Sequence, residues 1–449
     1  MSKFPHMLSI KAHDNLVDNY ILMKDGREIL HDELSSPVFF NLAEIDARLP
    51  TFSRQELQFG PVLCSGASGV VREVKRIFLL DELHCSYSTF NTSLTKNSIG
   101  SVQNDSQSEN ENDKDSYIEN LNYHFSSRNG LAALCKRNGV TRYAVKNINV
   151  EDASIEQQAR ARIDLAIEVS YLKVFSHPHI VRIRGSLNTS DLLHPKFFFL
   201  MDKMNGTLSD KIGEWDHRIK TKKIDLMQFV PIFFSRGKRH CRNREFLKER
   251  LSIAHDIASA FSYMHHKKVI HRDIKKQNIG FDIHGNVKVF DFGLAKSLRE
   301  DRLSFWNYYN LTANVGSIPY MAPEVALGKP YNEKCDVFSF GILMYEIVSL
   351  RPPFSMAIMK NYLNFVAKGE KRPDIKEGWP SMTKVIMKSS WMSSPCTRPR
   401  MEKICMMIKM DLQELETENI IASGINDNVN ISKTTSNRVS NLVKFYGRN

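Results

Sequence analysis

The stretch VIHRDIKKQNIGFD (269–282), followed by NVKVFDFG (286–293), determines how the rest of the sequence is interpreted. It brings two aspartates, Asp273 and Asp291, close along the chain to Asn278. The second segment alternates as a strand that ends at Asp291. Carboxylate and amide oxygens are the ligands that Mg²⁺ prefers, and a carboxylate orients the attacking hydroxyl in phosphoryl transfer. A single residue of one of these types is more often a solvated charge on a loop. The interpretation therefore depends on the order and spacing of all three.

A glycine-rich turn precedes this region. QFGPVLCSGASGVVREVKRIF (58–78) is typical of a strand, a glycine turn and a second strand. Gly66 and Gly69 lack a Cβ, so backbone N–H groups there can approach phosphate oxygens. A glycine hairpin without any ligand explains the same residues.

A lysine follows on the next strand pattern, which covers 141–148. A lysine that points from a buried strand is unfavourable unless it is paired. Glu168 lies on the inward face of the following helical pattern, beside Leu165, Val169 and Leu172, and is the natural partner of Lys146. The pair suits the α- and β-phosphates of a nucleotide, and a structural salt bridge is the alternative.

Taken in chain order, LCSGASGVV (63–71), AVK (144–146), HRDIKKQN (271–278), DFG (291–293) and MAPE (321–324) resemble the eukaryotic protein kinases. The resemblance covers roughly 54–412 and is greatest to the tyrosine-kinase-like group of Ser/Thr kinases. It implies an α+β, bilobal kinase fold. A small, mainly β lobe with one main helix would precede a larger α-helical lobe, with ATP between them.

The resemblance also implies the roles of single residues. The catalytic positions would be Asp273, Lys275, Lys146 and Glu168, and Asn278 and Asp291 would hold Mg²⁺. Glu324 and Arg398 would form a buried ion pair in the large lobe. Asp336 would brace the catalytic loop. The ATP-binding positions, with Met201 as gatekeeper, would be Leu63, Gly66, Gly69, Val71, Ala144, Lys146, Met201, Asp202 and Met204.

Substrate class and control follow from the same resemblance. Lys275, two residues after the aspartate, is typical of Ser/Thr kinases, and the Ser317 hydroxyl would bridge Asp273 and Lys275. Arg272 would await a phosphate on the activation segment (294–321), added by an upstream kinase. Thr312 is the preferred acceptor, followed by Tyr309 or Ser304.

Two positions depart from the family pattern. Cys64 replaces the first loop glycine, and we expect it to be buried filler rather than an oxidisable thiol. Gly280 stands where the family places a bulky apolar residue beneath the adenine, so adenine packing there should be looser.

Composition sets the remaining domain boundaries. Residues 1–53 carry no readable motif, and the Asn/Ser-rich stretch 86–128 is predicted to be a disordered insertion. The basic stretch 218–250 is a second insertion, either a solvated loop or a docking patch for acidic proteins, nucleic acid or a membrane surface. Residues 413–449 are predicted to be a polar tail.

Charge and cysteine usage exclude several classes of protein. The chain has 449 residues, and 62 Lys and Arg against 50 Asp and Glu give a net charge of +12, which we interpret as a solvated surface without specific nucleic-acid binding. Seven cysteines without a C-x-x-C argue for reduced thiols and against zinc. The sequence has no apolar stretch of spanning length and no signal-like N-terminus, so a cytoplasmic or nuclear location is expected.

These observations predict an ATP- and Mg²⁺-dependent kinase that phosphorylates Ser or Thr of protein substrates and is controlled by activation-segment phosphorylation. A pseudokinase scaffold that binds nucleotide or partners without transfer is the alternative. A small-molecule kinase fits less well, because such enzymes lack the APE segment and the partner that Arg398 provides.

Overall fold

The computed structural model describes residues 26–66, 69–79, 127–148, 154–229, 235–304 and 307–422. The described residues divide into two compact units. The small unit contains those between Asn41 and Lys173 together with Arg182–Lys203. The large unit contains those up to Phe40, Val174–Val181 and those from Met204 onward.

Strands and helices are numbered along the chain. The strands are β1 (Thr51–Phe52), β2 (Leu57–Gly66), β3 (Gly69–Ile77), β4 (Lys136–Arg137), β5 (Val140–Thr141), β6 (Tyr143–Asn147), β7 (Ile183–Leu187), β8 (Phe198–Asp202), β9 (Gly206–Thr207), β10 (Val269–Ile270), β11 (Ile279–Phe281), β12 (Val287–Val289) and β13 (Lys296–Ser297). The α-helices are α1 (Gly26–Leu34), α2 (Leu42–Arg48), α3 (Arg128–Leu134), α4 (Ile155–Val174), α5 (Leu208–Phe229), α6 (Ser235–His266), α7 (Pro323–Ala326), α8 (Lys334–Ser349), α9 (Met356–Lys360), α10 (Ser381–Ser390) and α11 (Met401–Ala422).

The small unit is built on a sheet with the strand order β1-β7-β8-β6-β3-β2. Its neighbours are antiparallel except for β1, which runs parallel to β7. Alternate side chains of β3, β6 and β8 face one apolar core, as the period of a strand requires. Leu131 and Cys135, at the end of α3, pack into that core together with Phe52, Val74, Tyr143, Val145, Phe198 and Leu200.

The large unit is mainly helical, with a three-stranded sheet β12-β11-β9 and the pair β10-β13. Helix α8 is buried on nearly all sides, as its unbroken apolar sequence predicts. Since strands dominate one unit and helices the other, the predicted α+β fold class is confirmed.

The N-terminal stretch does not form one separate extension. Residues 1–25 lie outside the described residues, but β1 joins the sheet of the small unit and buries Phe52 completely. Helix α1 belongs to the large unit instead. Neither element contains a recognised motif, and neither was predicted from the sequence.

The two predicted insertions and the tail need corrected boundaries. Residues 86–126 lie outside the described part of the chain, but Ser127 caps α3 by accepting from the Gly130 N–H. In the basic stretch, α5 continues to Phe229 and α6 starts at Ser235, so the expected loop is wrong outside 230–234. Buried Arg250 donates from Nη1 to the Val348 carbonyl at 2.8 Å.

At the other end, α11 continues to Ala422 and buries Leu415, so the predicted boundary at 412 is too early. Residues 423–449 lie outside the described range. Among the helices that the structure describes, none is both long and apolar enough to span a membrane.

Candidate active site

The glycine turn is formed by β2 and β3 of the small unit. Gly66 pairs with Gly69, which has a φ of +126°, and a Cβ there would lie 2.5 Å from the Asn147 carbonyl oxygen. Only glycine fits this conformation and this close approach. Residues 67–68 at the tip lie outside the described residues.

The strands beside the turn carry further predicted nucleotide-binding positions. Leu63 is exposed, and Val71 is half-buried in register with both Cys64 and Lys146. Cys64 is exposed, which corrects the expectation that it fills buried space. Its neighbours in the hairpin leave the outward face of the strand open to solvent.

Lys146 and Glu168 form a buried ion pair. The Lys146 Nζ donates to Glu168 Oε2 at 2.6 Å, and the two residues are 5% and 2% exposed. Strand β6, which carries Lys146, lies between β3 and β8, and helix α4 supplies Glu168. A buried ammonium is stable only with such a partner, so the pair fixes a positive charge at one point of the sheet.

Strand β8 carries the predicted gatekeeper and the first hinge position. Met201 is buried opposite Ala144 of β6. The Asp202 carboxylate accepts from Arg184 Nε at 2.7 Å and from Nη2 at 3.0 Å. Arg184 therefore engages both carboxylate oxygens, and the Asp202 N–H donates to the Arg182 carbonyl at 3.3 Å.

The predicted catalytic loop, residues 271–278, belongs to the large unit and contains Asp273. Oδ2 of Asp273 accepts from Lys275 Nζ at 2.6 Å and from Asn278 Nδ2 at 3.0 Å. Within the described part of the chain, the buried Oδ1 has no hydrogen-bond partner. The residue is 8% exposed, so this oxygen is an acceptor that folding leaves unsatisfied.

Ser317 lies at the same point, but its contact differs from the expected bridge. Lys275 Nζ donates to the Ser317 hydroxyl at 3.0 Å and also holds Asp273. Lys275 therefore links Asp273 to Ser317, and the serine hydroxyl is reached through the lysine.

The predicted Mg²⁺ ligands lie on the following turns. Asn278, in the 3-10 helix Lys276–Asn278, donates from Nδ2 to both the carbonyl oxygen and Oδ2 of Asp273 at 3.0 Å. These bonds use the amide NH₂ and leave the amide oxygen as the atom that suits Mg²⁺. Asp291 follows β12 in a left-handed conformation with φ of +67°, which is rare for an aspartate.

Phe292 anchors the residue after Asp291. Its ring is fully buried and contacts those of Phe175, at 5.5 Å between centroids, and His271, at 5.1 Å. The aromatic contacts fix the chain on the C-terminal side of Asp291, so the strained φ is maintained by packing.

Asp336 of α8 lies beneath the catalytic loop. Its carboxylate accepts from the backbone N–H groups of His271 at 2.8 Å and Arg272 at 2.9 Å, and contacts His265 Nε2 at 3.0 Å. Burial raises the pKa of Asp336, but His265 and the backbone donors outweigh it, so the pKa is lowered. The charged carboxylate thus holds the loop from below.

Arg272 connects this loop to the activation segment. Its Nε donates to the Leu294 carbonyl at 2.6 Å, and its Nη1 donates to the Tyr331 hydroxyl at 3.2 Å. Tyr331 in turn donates to the Thr312 carbonyl at 2.7 Å. Of the predicted phosphate acceptors, Thr312 and Ser304 are exposed, whereas Tyr309 is buried.

Gly280 has a structural explanation that the sequence did not reveal. A Cβ at this position would lie 2.9 Å from Phe290 Cε1 and 3.0 Å from Met204 Cγ. The Met204 side chain therefore occupies the space that a bulky residue at 280 would fill. The sequence gives only a weak signal that Met204 replaces a bulky side chain at 280: a methionine at the predicted hinge and a glycine at the adenine position.

Comparison with known proteins agrees with this arrangement. The family model for the protein kinase domain matches residues 128–410. The chain belongs to the protein kinase family. The expected kinase is thus confirmed at the level of the family, and Glu324 and Arg398 are paired in the large unit as the resemblance implied.

Curated relatives carry serine/threonine kinase names. A probable LIM domain-containing serine/threonine-protein kinase of Dictyostelium discoideum is 36% identical over 160 residues, which are 36% of this chain and 23% of the relative. A serine/threonine-protein kinase of Arabidopsis thaliana is 32% identical over 170 residues, 38% of this chain and 28% of the relative. A putative serine/threonine-protein kinase/receptor of Acanthamoeba polyphaga mimivirus is 29% identical over 283 residues, 60% of this chain and 15% of the relative. The chain spans less than a third of the length of each.

Proposed function

We propose that this protein is a serine/threonine kinase that transfers the γ-phosphoryl group of Mg-ATP to a hydroxyl of a protein substrate. The observation that carries the proposal is the Asp273 carboxylate. Lys275 and Asn278 hold one of its oxygens, and the other is a buried acceptor without a partner among the described residues. A fixed carboxylate with one unpaired oxygen suits the orientation of a hydroxyl.

The proposed step assigns a function to each group around Asp273. The substrate hydroxyl donates to Asp273 Oδ1, and its oxygen attacks the γ-phosphorus as the bond to the leaving ADP oxygen breaks. The hydroxyl proton passes to the carboxylate. Lys275, already paired with Asp273, balances charge on the moving phosphoryl group.

This proposal also assigns the residues that bind nucleotide and metal. Lys146, held by Glu168, carries the fixed charge suited to the α- and β-phosphates, and the turn at Gly66 and Gly69 supplies backbone N–H groups. The amide oxygen of Asn278 and the Asp291 carboxylate would hold Mg²⁺. When bound, Mg²⁺ supplies neutralisation of phosphate charge.

Substrate class and control are parts of the same proposal. Lys275 and the serine/threonine names of the relatives favour a Ser or Thr acceptor, and the plant and LIM-containing relatives are consistent with the tyrosine-kinase-like group. Activation-segment phosphorylation at Thr312 would act through Tyr331, which contacts both the Thr312 carbonyl and Arg272.

The test compares two site variants with matched surface variants. Lys146→Met and Asp273→Asn should each abolish ³²P transfer from labelled ATP to a generic basic protein. Lys220→Met and Asp216→Asn make the same chemical changes in an exposed i,i+4 pair and should leave transfer unchanged. Undiminished transfer in both site variants would refute the assignment. Nucleotide binding without transfer by the wild type would instead favour the pseudokinase alternative.

A further inference from the structure

Helix α1 contacts the first strand of the activation segment through Glu33. This residue is 1% exposed, and its Oε1 accepts two hydrogen bonds from Ser297, one from the backbone N–H and one from the hydroxyl, both at 3.0 Å. Its Oε2 pairs with Lys296 Nζ. Lys296 and Ser297 form β13, which is paired with β10 directly before the catalytic loop. Glu33 therefore holds the strand adjacent to the one that leads into Arg272 and Asp273.

Asp32 makes a second set of contacts with the same segment. Its Oδ2 pairs with Arg302, and its Oδ1 lies 3.3 Å from Arg299 Nη1. Arg299 Nη1 also donates to the Ser35 hydroxyl at 2.6 Å. Two consecutive carboxylates of α1 thus face three cations of the activation segment, so the contact is electrostatic as well as steric.

Arg272 belongs to the same group of charges. Arg272 is half-buried, and desolvation alone would lower its pKa, but Tyr331 and the Glu33 carboxylate outweigh this and raise it. The pKa of Lys296 is lowered by burial against the opposing effect of Glu33, with Arg302 and Arg272 lowering it further. Glu33 is consequently the paired counter-charge of Lys296, in the strand next to the one that leads into Arg272.

We infer that Glu33 is a positioning residue for phosphoryl transfer, a resident anion that holds β13 in place in the unmodified protein as a phosphate on the activation segment would. The inference rests on the proposed function. A carboxylate supplies one negative charge and two acceptor oxygens, whereas a phosphate supplies more of both, so the two differ in strength and not in kind. Glu33 supports the basal rate, and a phosphate at Thr312 adds to it.

The test uses the full chain after phosphatase treatment, so that no phosphate contributes. Glu33→Gln keeps the shape and removes the charge, and it should lower kcat by about tenfold while the KM for ATP changes by less than about twofold. Glu28→Gln, an exposed glutamate on the same helix, is the matched control and should leave kcat unchanged. Equal kcat in Glu33→Gln and Glu28→Gln overturns the inference.

Rescue separates charge from simple docking of the helix. Formate added to Glu33→Ala should restore part of the lost kcat relative to chloride at equal ionic strength, and Glu33→Asp should retain more activity than Glu33→Gln. A loss in Glu33→Ala that neither formate nor the aspartate variant reverses identifies a purely structural contact and overturns the inference as well.

Hydrogen exchange provides a measurement that does not depend on catalysis. The Ser297 amide donates to Glu33, so it should exchange faster in Glu33→Gln than in the wild type or in Glu28→Gln. Unchanged exchange overturns the inference whatever the kinetics. If the wild type transfers no phosphate, the proposed function fails. Hydrogen exchange at the Ser297 amide then decides alone whether Glu33 holds the segment.

Discussion

Arg398 and Glu324 form a buried, two-pronged ion pair. Nη1 of Arg398 donates to Oε1 of Glu324 at 2.6 Å, and Nη2 donates to Oε2 at 2.8 Å. The residues are 2% and 5% exposed, and Arg398 also donates to the carbonyls of Met392 at 2.8 Å and Lys334 at 2.9 Å. This arginine therefore fastens α7, at the end of the activation segment, to the start of α8.

Glu324→Gln should destabilise the protein strongly, because it leaves the Arg398 charge buried without a counter-charge. Removal of one partner of such a pair typically costs about 3–5 kcal/mol. Urea unfolding measures this loss in the free energy of unfolding. Glu377→Gln, at a 97% exposed side chain that pairs with Lys384, is the control and should cost less than about 1 kcal/mol. Equal losses in the two variants would contradict the buried pair.

Gly280→Leu should destabilise the large unit because Met204 and Phe290 already fill the space. Overpacking of this kind costs about 1–3 kcal/mol. The double variant with Met204→Ala should recover part of the loss, and a double-mutant cycle in urea measures the coupling. Gly213→Leu, where a Cβ meets nothing within 4 Å, is the control. Purely additive losses would argue that Met204 does not replace the missing side chain.

The contacts around Asp273 are fixed by local chain geometry, whereas Glu324 and Arg398 are 74 positions apart and their pairing followed from the family resemblance. Lys275 and Asn278 lie two and five residues after Asp273, so a tight loop suffices to bring them together. Asp336 followed only from the family resemblance, yet it lies on a helix whose unbroken apolar sequence placed it in the core.

Other features depend on distant contacts that no local pattern encodes. Glu33 and Ser297 are separated by 264 positions, so no pattern within α1 indicates which residues Glu33 contacts. The Met204 side chain fills the space beside Gly280 only once the chain has folded. The polar composition after 412 gave no indication that Leu415 is buried and that α11 continues beyond the expected boundary.

Asn278→Asp should reduce kcat on the order of a hundredfold. The aspartate keeps an oxygen for Mg²⁺ but loses both Nδ2 donations to Asp273 and brings a second carboxylate against the first. Asn278→Ala should lose less in kcat but should require more Mg²⁺ for half-maximal rate. Initial rates over a series of Mg²⁺ concentrations separate the two effects, and exposed Asn361→Asp is the control. A Mg²⁺ requirement that is unchanged in Asn278→Ala would remove Asn278 from the metal site.

Thr312→Ala should abolish the increase in kcat that phosphorylation brings, while leaving the rate of the phosphatase-treated enzyme unchanged. Its exposed side chain can accept a phosphate, and its carbonyl is joined through Tyr331 to Arg272. The measurement is kcat before and after phosphatase treatment, with Ser304→Ala as the comparison. Activation by phosphorylation at Thr312 would be contradicted if mass spectrometry found no modification of the segment in active wild type and Thr312→Ala kept full activity.

Asp411 should make stability depend on pH. Its carboxylate accepts from the Met382 N–H at 2.9 Å and from the Thr383 N–H and hydroxyl, each at 2.6 Å, at the start of α10. Burial raises its pKa from 3.8 to about 6, although these hydrogen bonds act in the opposite direction. Since the folded protein binds the proton more tightly, the stability linked to that proton is complete below pH 3.8 and is lost as the pH rises through about 6.

The free energy of unfolding of the wild type, relative to Asp411→Asn, should therefore fall by about 1 kcal/mol between pH 5 and pH 7. Urea unfolding of both proteins at each pH measures the difference, which cancels titrations that the two share. Asp374→Asn, the same substitution at an exposed aspartate, is the control. A constant difference for Asp411→Asn would mean that the donors from α10 outweigh burial, and that the carboxylate is already charged at pH 5.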